Sequence, residues 1–358
     1  MITIQAEPLR QLVATIFRKA GSDESEARLI GQRLVEANLK GHDSHGVVRV
    51  QTYTDLIKNN GVSFNQHASV VWENDVIAVV DGNFGFGQVV GGEAIEIGIA
   101  KAKRSKLAMV ALRNASHIGR IGDWSEMCAA AGFASVHFVN VTGHVGLVAA
   151  FGGAERRLST NPFSAALPMP GADPIVLDMA TSKLAEGKVR VALNKGVELP
   201  EGAIVDNAGK ASRDPKDFYG PPEGALLPFG EHKGYGLAVF CELFAGLVPG
   251  GGCNQPENPL TGRIVNSMLS FIFDAGVGMP GGYADEARRL VDHLKSSTPT
   301  TAGGEVLVPG EPERRTKADR LANGVPLDDK SWSDILACGR HFGLGDAEMR
   351  AIHQLNSA

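Results

Sequence analysis

The stretch Gly41-His42-Asp43-Ser44-His45-Gly46 lies between two segments with helical periodicity near the start of the chain. Working outward from it, residues 23–40 and 46–58 both have apolar side chains at the spacing of amphipathic helices. Gly41 is a typical helix terminator, and Ser44 is a candidate N-cap for the second helix. The sequence therefore predicts a turn that joins two helices and carries two histidines.

His45 is expected in the first turn of the second helix, where the helix dipole favours a neutral imidazole. Arg49 and Tyr53 follow on the same helix face. A neutral imidazole suits general acid/base catalysis, and a guanidinium binds a carboxylate with two hydrogen bonds. The alternatives are a capping or solvated histidine, or a metal site that includes His42, although no further ligand follows at a suitable spacing in this segment.

The composition describes an ordinary globular protein of 358 residues, with 43% hydrophobic and 21% charged residues. A net charge of −5 argues against a nucleic-acid or membrane-surface partner. No apolar run is long enough to span a bilayer, and the first seven residues do not resemble a signal peptide. The four cysteines form no CxxC pair, which is typical of free thiols in a reducing compartment. We therefore expect a cytoplasmic protein.

The order of helical and strand-like patterns predicts two domains. A helical domain is expected from both chain ends, residues 1–67 with 285–358, around a central α/β domain with a mixed sheet at residues 68–284. The predicted helices cover residues 8–19, 23–40, 46–58, 88–103, 229–247, 285–295, about 312–323, about 328–341 and 346–355. The predicted strands cover residues 70–72, 76–80, 107–112, 134–139, 164–167, 175–177 and 267–273.

Gly85-Phe86-Gly87-Gln88-Val89-Val90-Gly91 follows a predicted strand and opens a helix, as a dinucleotide-binding turn does. The spacing is GxGxxxG rather than GxGxxG, and the acidic residue expected about 20 positions later is missing. A glycine turn at the start of a helix is therefore favoured over a Rossmann unit.

Several polar loops are candidate ligand sites. The loop 114–122 contains His117 and Arg120 and suits a phosphate, although His117 is equally compatible with a structural role. Asp178 ends a strand, where it is either a ribose ligand or a helix N-cap. His232 and Lys233 open a long apolar helix and, with its backbone donors, make an anion site.

Taken together, these segments resemble one family. The motifs appear in order as GHDSHG (41–46), NASHIGRIG (114–122), TNPF (160–163), LDMATS (177–182), EGKVRVALNKG (186–196), PEGAIVD (200–206), FGEHKGYGLA (229–238) and PGE (309–311). This series resembles the type 2 malate/L-lactate dehydrogenase family, which is also called the malate/lactate/ureidoglycolate dehydrogenase family. Within that family it is most similar to the hydroxycarboxylate dehydrogenase B branch.

The resemblance implies a non-Rossmann, two-layer α/β cofactor domain with a largely antiparallel mixed sheet, and a homodimer. It implies that His45 is the proton donor and acceptor, that Arg49 holds the substrate carboxylate, and that His117 and Thr160 line the substrate pocket. We count His117 among the catalytic residues, and Ser44 and Tyr53 among the substrate-binding ones. The implied cofactor contacts are His45, Gly119, Arg120, Ile121, Val176, Leu177, Asp178, Met179, Ala180, His232, Lys233, Gly310, Glu311 and Pro312.

The predicted activity is reversible oxidation of a small 2-hydroxy acid to a 2-oxo acid, of the malate, lactate or aromatic class. The expected cofactor is NAD or NADP, with NAD slightly preferred: Asp178 would repel a 2′-phosphate, whereas Arg120 or Lys233 would attract one. A cyclic-imine reductase branch has an acidic residue near the position of Lys188, so that substrate class is disfavoured. The rival hypothesis is a metal-dependent hydrolase or lyase that uses His42, His45 and His117 with Asp43.

Overall fold

The structure is a computed structural model that describes residues 2–258 and 261–354. The helices are α1 (Ala6–Ala20), α2 (Glu24–Leu39), α3 (Arg49–Lys58), α4 (Gly87–Ser105), α5 (Gly122–Ala130), α6 (Glu186–Lys195), α7 (Pro215–Tyr219), α8 (His232–Leu247), α9 (Tyr283–Lys295), α10 (Glu311–Asn323), α11 (Asp329–His341) and α12 (Asp346–Gln354). The strands are β1 (Ile2–Ile4), β2 (Ser69–Glu73), β3 (Ile77–Asp81), β4 (Leu107–Ala115), β5 (Ala134–Thr142), β6 (Val148–Ala149), β7 (Arg156–Leu158), β8 (Phe163–Leu167), β9 (Ile175–Met179), β10 (Ile204–Val205), β11 (Ala211–Ser212), β12 (Ala225–Leu226), β13 (Val265–Phe273) and β14 (Val325–Leu327). The predicted end of the last helix at Leu355 lies outside the described residues.

The turn between α2 and α3 differs from the prediction. Residues Asp43–His45 form a short 3₁₀ turn, and α3 begins only at Arg49. The buried side chain of Asn38 causes the delay, because its Oδ1 accepts a hydrogen bond from Val47 N at 2.8 Å and its Nδ2 donates to Asp43 Oδ1 at 2.6 Å. Ser44 is therefore not the N-cap of α3, and His45 does not lie in its first turn.

Seven strands form the main sheet in the order β2-β3-β4-β13-β5-β8-β9. The pair β3–β4 is parallel and is connected through α4. The other neighbouring pairs of this sheet are antiparallel. Since β9 is the last strand, one of its edges is free of strand partners and open to other segments.

Helices cover both faces of this sheet, so the predicted two layers are wrong. Val139 of β5 packs in the cluster that α4 and α5 form with the sheet. On the opposite face of the same strand, the ring of Phe138 packs edge-on against that of Phe244 of α8, with 5.2 Å between the ring centroids. Asn140 Nδ2 donates a hydrogen bond to Glu242 of α8 at 3.0 Å. Because neighbouring strand residues point to opposite faces, α8 forms a third layer.

Both ends of the chain meet in one hydrophobic core. It unites apolar residues of α1, α2 and α3 with Val325, Ile335 and Met349 from the last part of the chain. The strands β1 and β14 pair antiparallel beside it. Such packing is expected of a helical domain that is formed by both chain ends. The predicted boundaries of that domain, at residues 67 and 285, stay a prediction. None of the helices in the described part of the chain has the length and apolar character of a membrane span.

A second, five-stranded sheet was not predicted. Its order is β11-β10-β12-β6-β7, and each of its five strands has only two or three residues, too few to show an alternating pattern. Together with α6 and α7 it encloses a small apolar core. The start of α6 contacts the 3₁₀ turn, where a Cβ added to Gly187 would lie 3.0 Å from Ser44 Cβ. This unit therefore forms one wall beside His45.

Candidate active site

Two histidines from distant parts of the sequence lie against each other. The ring centroids of His45, in the 3₁₀ turn, and His117, in the loop after β4, are 5.7 Å apart, and the ring planes differ by 10°. The Ser44 hydroxyl lies 3.1 Å from His45 Nδ1. The fold thus brings together the two histidines that the sequence analysis counted as catalytic.

Arg49 lies beside this pair on the first turn of α3. Its Nε donates to the Ser44 carbonyl at 2.6 Å, which fixes the guanidinium against the turn. Neither of its terminal nitrogens has a hydrogen bond or an ion pair with any residue that the structure describes. A partly buried guanidinium with no ion pair among the described residues is suited to an anionic ligand, above all to a carboxylate.

Both imidazoles are held neutral. Burial, followed by the charge of Arg49, lowers the pKa of His45 to about 3. The same two causes lower the pKa of His117 well below its usual value. Neutrality was expected for His45 from a helix dipole, but its position in the 3₁₀ turn makes burial and Arg49 the physical reasons.

The hydroxyl of Tyr53 is hydrogen-bonded to His117 and does not face a ligand. Its side chain is 1% exposed and packs against Phe17 and Phe86. The hydroxyl lies 2.8 Å from His117 Nδ1, and Gln88 Nε2 donates to it at 2.6 Å. Burial raises the pKa of Tyr53 to about 12, so the hydroxyl stays protonated. The predicted contact of Tyr53 with substrate is therefore replaced by a contact with His117.

His42 and Asp43 have partners away from the histidine pair. His42 Nε2 lies 3.3 Å from Glu313 Oε1 on α10, and Asp43 pairs with Arg320 at 2.6 Å. Within residues 2–258 and 261–354, no three His, Cys, Asp or Glu side chains are grouped so that they could hold a metal ion. The ligand set of the rival metal-dependent hypothesis is thus not assembled.

The predicted cofactor segments follow one another along β9. Val176 N donates to Pro309 O at 3.2 Å, which places the Gly310-Glu311-Pro312 segment beside Val176 and Leu177. At the other end of β9, after Met179 and Ala180, Thr181 O accepts from Phe229 N at 3.0 Å, just before α8. We call residues 119–121, 176–180, 232–233 and 310–312 the β9 strip.

Arg120 and Asp178 connect the loop Gly119-Arg120-Ile121 to this strip. Arg120 pairs with Asp123 at 2.8 Å, with Glu126 at 3.0 Å and with Asp178 at 3.3 Å. Although burial lowers it, these carboxylates raise the pKa of Arg120 overall. Asp178, whose pKa burial raises, also accepts a hydrogen bond from Gly122 N at the start of α5. The alternative role of Asp178 as a helix N-cap is wrong, because Asp178 lies within β9 and the N-cap position of α5 is Ile121.

Three predicted residues lie at the far end of the strip. The carbonyl of Thr160 accepts hydrogen bonds from Thr181 N and Oγ1, both at 2.9 Å. His232 and Lys233 are exposed at the start of α8, where the His232 ring lies 5.9 Å from that of Phe151. No contact among the described residues joins Thr160 to His45 or His117, so its predicted place in the substrate pocket stays a prediction.

Two site residues were missed by the sequence analysis. His144 follows β5; burial lowers its pKa, Arg49 lowers it further, and His144 in turn contributes to the low pKa of His117. Its signal in the sequence was a histidine directly after Gly143, two residues beyond the end of β5. Gln88 was visible inside the glycine motif, but only the fold shows that it contacts Tyr53.

Comparison with known proteins agrees with this geometry. Residues 4–336 match the malate/L-lactate dehydrogenase family. The chain belongs to this family. It is 40% identical over 352 residues to hydroxycarboxylate dehydrogenase B of Escherichia coli strain K12, covering 98% of this chain and 97% of that protein. It is 36% identical over 328 residues to an L-lactate dehydrogenase of Cupriavidus necator, covering 91% and 94%.

Solved structures of the malate/L-lactate dehydrogenase family share the fold. A protein from E. coli, assigned to the malate/lactate dehydrogenases, superposes with a TM-score of 0.96 at 38% identity over 100% of both chains. Sulfolactate dehydrogenase of Methanocaldococcus jannaschii gives a TM-score of 0.84 at 33% identity, covering 96% of this chain and 98% of that one. The family predicted from the ordered motifs is therefore confirmed, and with it the prediction that the chain is a dehydrogenase.

Proposed function

We propose that this dehydrogenase interconverts small 2-hydroxy acids and 2-oxo acids with a nicotinamide cofactor. The observation that carries the proposal is the guanidinium of Arg49, which has no ion pair within residues 2–258 and 261–354, beside two neutral, stacked imidazoles. A 2-hydroxy acid has the two features that this arrangement serves, a carboxylate and an adjacent hydroxyl that must lose a proton. The names of the relatives, which include lactate and sulfolactate dehydrogenases, support the same substrate class.

Each residue has a separate task in this proposal. Arg49 binds the substrate carboxylate through two parallel hydrogen bonds, which orients the carbon that reacts. His45 accepts the proton of the hydroxyl during oxidation and returns it during reduction, since a neutral imidazole has one nitrogen free to accept. The Ser44 hydroxyl can donate to or accept from His45 Nδ1, so it accommodates either protonation state.

The β9 strip fits a dinucleotide. Backbone hydrogen bonds tie the segments before α8 and α10 to the two ends of β9, so the positive ends of two helix dipoles lie near the strip and favour phosphates. The glycine at 310 has a φ of +93°, and a Cβ there would lie 3.3 Å from Val176 N, so only glycine lets this segment approach the strand so closely. When bound, the nicotinamide supplies the hydride chemistry. We propose that the site is of the non-Rossmann type.

We propose NAD as the preferred cofactor over NADP. Arg120 is surrounded by three carboxylates and is not available to a 2′-phosphate. Lys233 is the exposed cation that would recognise that phosphate in the alternative case. Dissociation constants for NADH and NADPH, measured by quenching of protein fluorescence in the wild type and in Lys233→Ala, test this choice. Tighter NADPH binding that depends on Lys233 would reverse it.

The activity is tested with malate, lactate and aromatic 2-hydroxy acids, each with both cofactors, by following absorbance of the reduced nicotinamide. His45→Ala should lower kcat by roughly 100- to 10,000-fold while the dissociation constant of the cofactor stays near normal. His67→Ala is the matched control, because His67 is an exposed histidine paired with Glu93. Turnover that is unchanged in His45→Ala, or restored only by added zinc or manganese, would reject the proposal.

We also propose a cytoplasmic homodimer. The outer face of α8 exposes Phe240, Leu243 and Leu247, an apolar surface that is typical of an interface with a second copy. The four cysteines are free, which supports a reducing compartment. Light scattering should give twice the chain mass for the wild type and a single chain mass for the double variant Phe240→Glu/Leu247→Glu. A wild type of single chain mass would exclude the dimer.

A further inference from the structure

The glycine motif at the start of α4 contacts the loop that carries His117. A Cβ added to Gly87 would lie 2.5 Å from the carbonyl oxygens of both Ser116 and His117, and 2.6 Å from Ile118 Cα. The loop is held from its other side by Asn266, whose Oδ1 accepts from Ile118 N at 3.0 Å. The motif that resembled a phosphate-binding turn is thus a close contact between α4 and the His117 backbone.

The residue after this glycine extends the contact to the histidine ring. Gln88 is 2% exposed, and its Nε2 donates to Tyr53 Oη at 2.6 Å. An amide nitrogen can only donate, so the Tyr53 hydroxyl accepts this bond and directs its own proton elsewhere. The remaining partner is His117 Nδ1 at 2.8 Å. A neutral ring that accepts at Nδ1 carries its proton on Nε2.

We propose that Gln88 is a positioning residue that acts through Tyr53 to hold His117 as the Nε2–H tautomer. The side chains form one directed chain of hydrogen bonds, from Gln88 to Tyr53 and from Tyr53 to His117. The direction of the chain is set by Gln88, which turns its Nε2 and not its Oε1 toward the Tyr53 hydroxyl. The consequence for catalysis rests on the proposed function, whereas the tautomer itself does not.

This assignment gives the two stacked histidines different roles. His117 offers an N–H donor at Nε2, which can hydrogen-bond the carbonyl oxygen of a 2-oxo acid as negative charge develops there. His45 is hydrogen-bonded to a serine hydroxyl, which can reverse its role, and is therefore free to gain and lose a proton. In reduction His45 first takes up a proton from solvent, and the imidazolium then transfers that proton to the oxygen, while His117 keeps its own.

The tautomer can be measured without any ligand. In protein labelled with ¹⁵N-histidine, two-bond correlation spectra distinguish a protonated from an unprotonated ring nitrogen. We expect His117 to show a protonated Nε2 and a bare Nδ1. His137 serves as an internal reference, because it is fully buried between Ser135 and Ser270, away from this chain of bonds. An Nδ1–H form of His117 in the wild type would overturn the proposal.

Variants test whether Gln88 sets this state. Gln88→Leu and Tyr53→Phe should both reduce the Nε2–H share of His117 and leave the His137 signals unchanged. Each should lower kcat for 2-oxo acid reduction about tenfold, with little change in the dissociation constant of the cofactor. Gln51→Leu, on the exposed side of α3, is the control. A His117 tautomer that is unaltered in both folded variants would refute the role of Gln88.

The two proposals fail in different ways. If the wild type reduces no 2-oxo acid, the proposed function is wrong, but the Nε2–H signal of His117 is still expected. If the activity is present and His117 is Nδ1–H, only the positioning role is lost.

Discussion

Replacing Gly87 by alanine tests the connection between the glycine motif and His117. The added Cβ would lie 2.5 Å from two carbonyl oxygens, against an ordinary contact of 3.4 Å or more, so the loop must move by about 0.9 Å. The obstructing atoms are backbone and cannot rotate away. Overpacking of this kind destabilises by about 1–3 kcal/mol. A shift of about 1 Å at a catalytic group can lower the rate about 100-fold.

The same helix offers a matched control. At Gly92 the nearest atom to an added Cβ is a Trp124 ring carbon at 3.7 Å, an ordinary contact. Gly92→Ala should therefore stabilise the protein by up to about 1 kcal/mol through helix propensity, with unchanged activity.

The assays are the midpoint of thermal unfolding by scanning calorimetry and kcat/KM for the best 2-oxo acid. We expect Gly87→Ala to unfold at a lower temperature and to lose about 100-fold in kcat/KM, while Gly92→Ala does neither. If Gly87→Ala retains wild-type kcat/KM, the contact does not position His117 and the reasoning is refuted.

Three further results are expected. Arg49→Lys keeps the charge but loses the planar pair of donors, so KM for the 2-oxo acid should rise about 10-fold or more in steady-state kinetics, and an unchanged KM would contradict carboxylate binding. Since the pKa of His45 is lowered from 6.5 to about 3, the unfolded chain binds the extra proton first, and stability should fall as pH drops from about 6.5 towards 3. His45→Asn should reduce that loss in calorimetry, and equal slopes of stability against pH would argue against a neutral, partly buried His45. Asp178→Asn removes one carboxylate of the buried Arg120 cluster and the charged acceptor of Gly122 N, so the free energy of unfolding should fall by about 2 kcal/mol and the unfolding temperature with it. An unchanged midpoint would show that the Arg120–Asp178 pair is dispensable.

Local patterns predicted most of the secondary structure because amphipathic periodicity and caps act over a few residues. The hairpin β2–β3, the helices α4 and α8 and the helical tail all followed from such patterns. The 3₁₀ turn did not, since its cause is the side chain of Asn38, which enters from the preceding helix and captures Val47 N. The five-stranded sheet was missed for a different reason, because its strands are too short to show a period.

Some features of the candidate site could likewise be predicted from the sequence, and others could not. His45 and Arg49 are four residues apart, so their association could be proposed from the sequence. The partner of Tyr53 could not, because His117 is 64 positions away and becomes a neighbour only when β4 joins the sheet. Asp178 appeared to be a free carboxylate at a strand end, whereas the fold occupies it with Arg120 and the start of α5.

The sequence by itself determined the residue types that the chemistry needs and the order of the segments that carry them. It also determined the α/β class, since periodicity is encoded locally. Only the tertiary structure decided which group faces each histidine nitrogen, which charges are already paired and that Arg49 has no ion-pair partner among the described residues. These properties depend on neighbours tens to hundreds of residues away, and burial among those neighbours is what makes the imidazoles neutral.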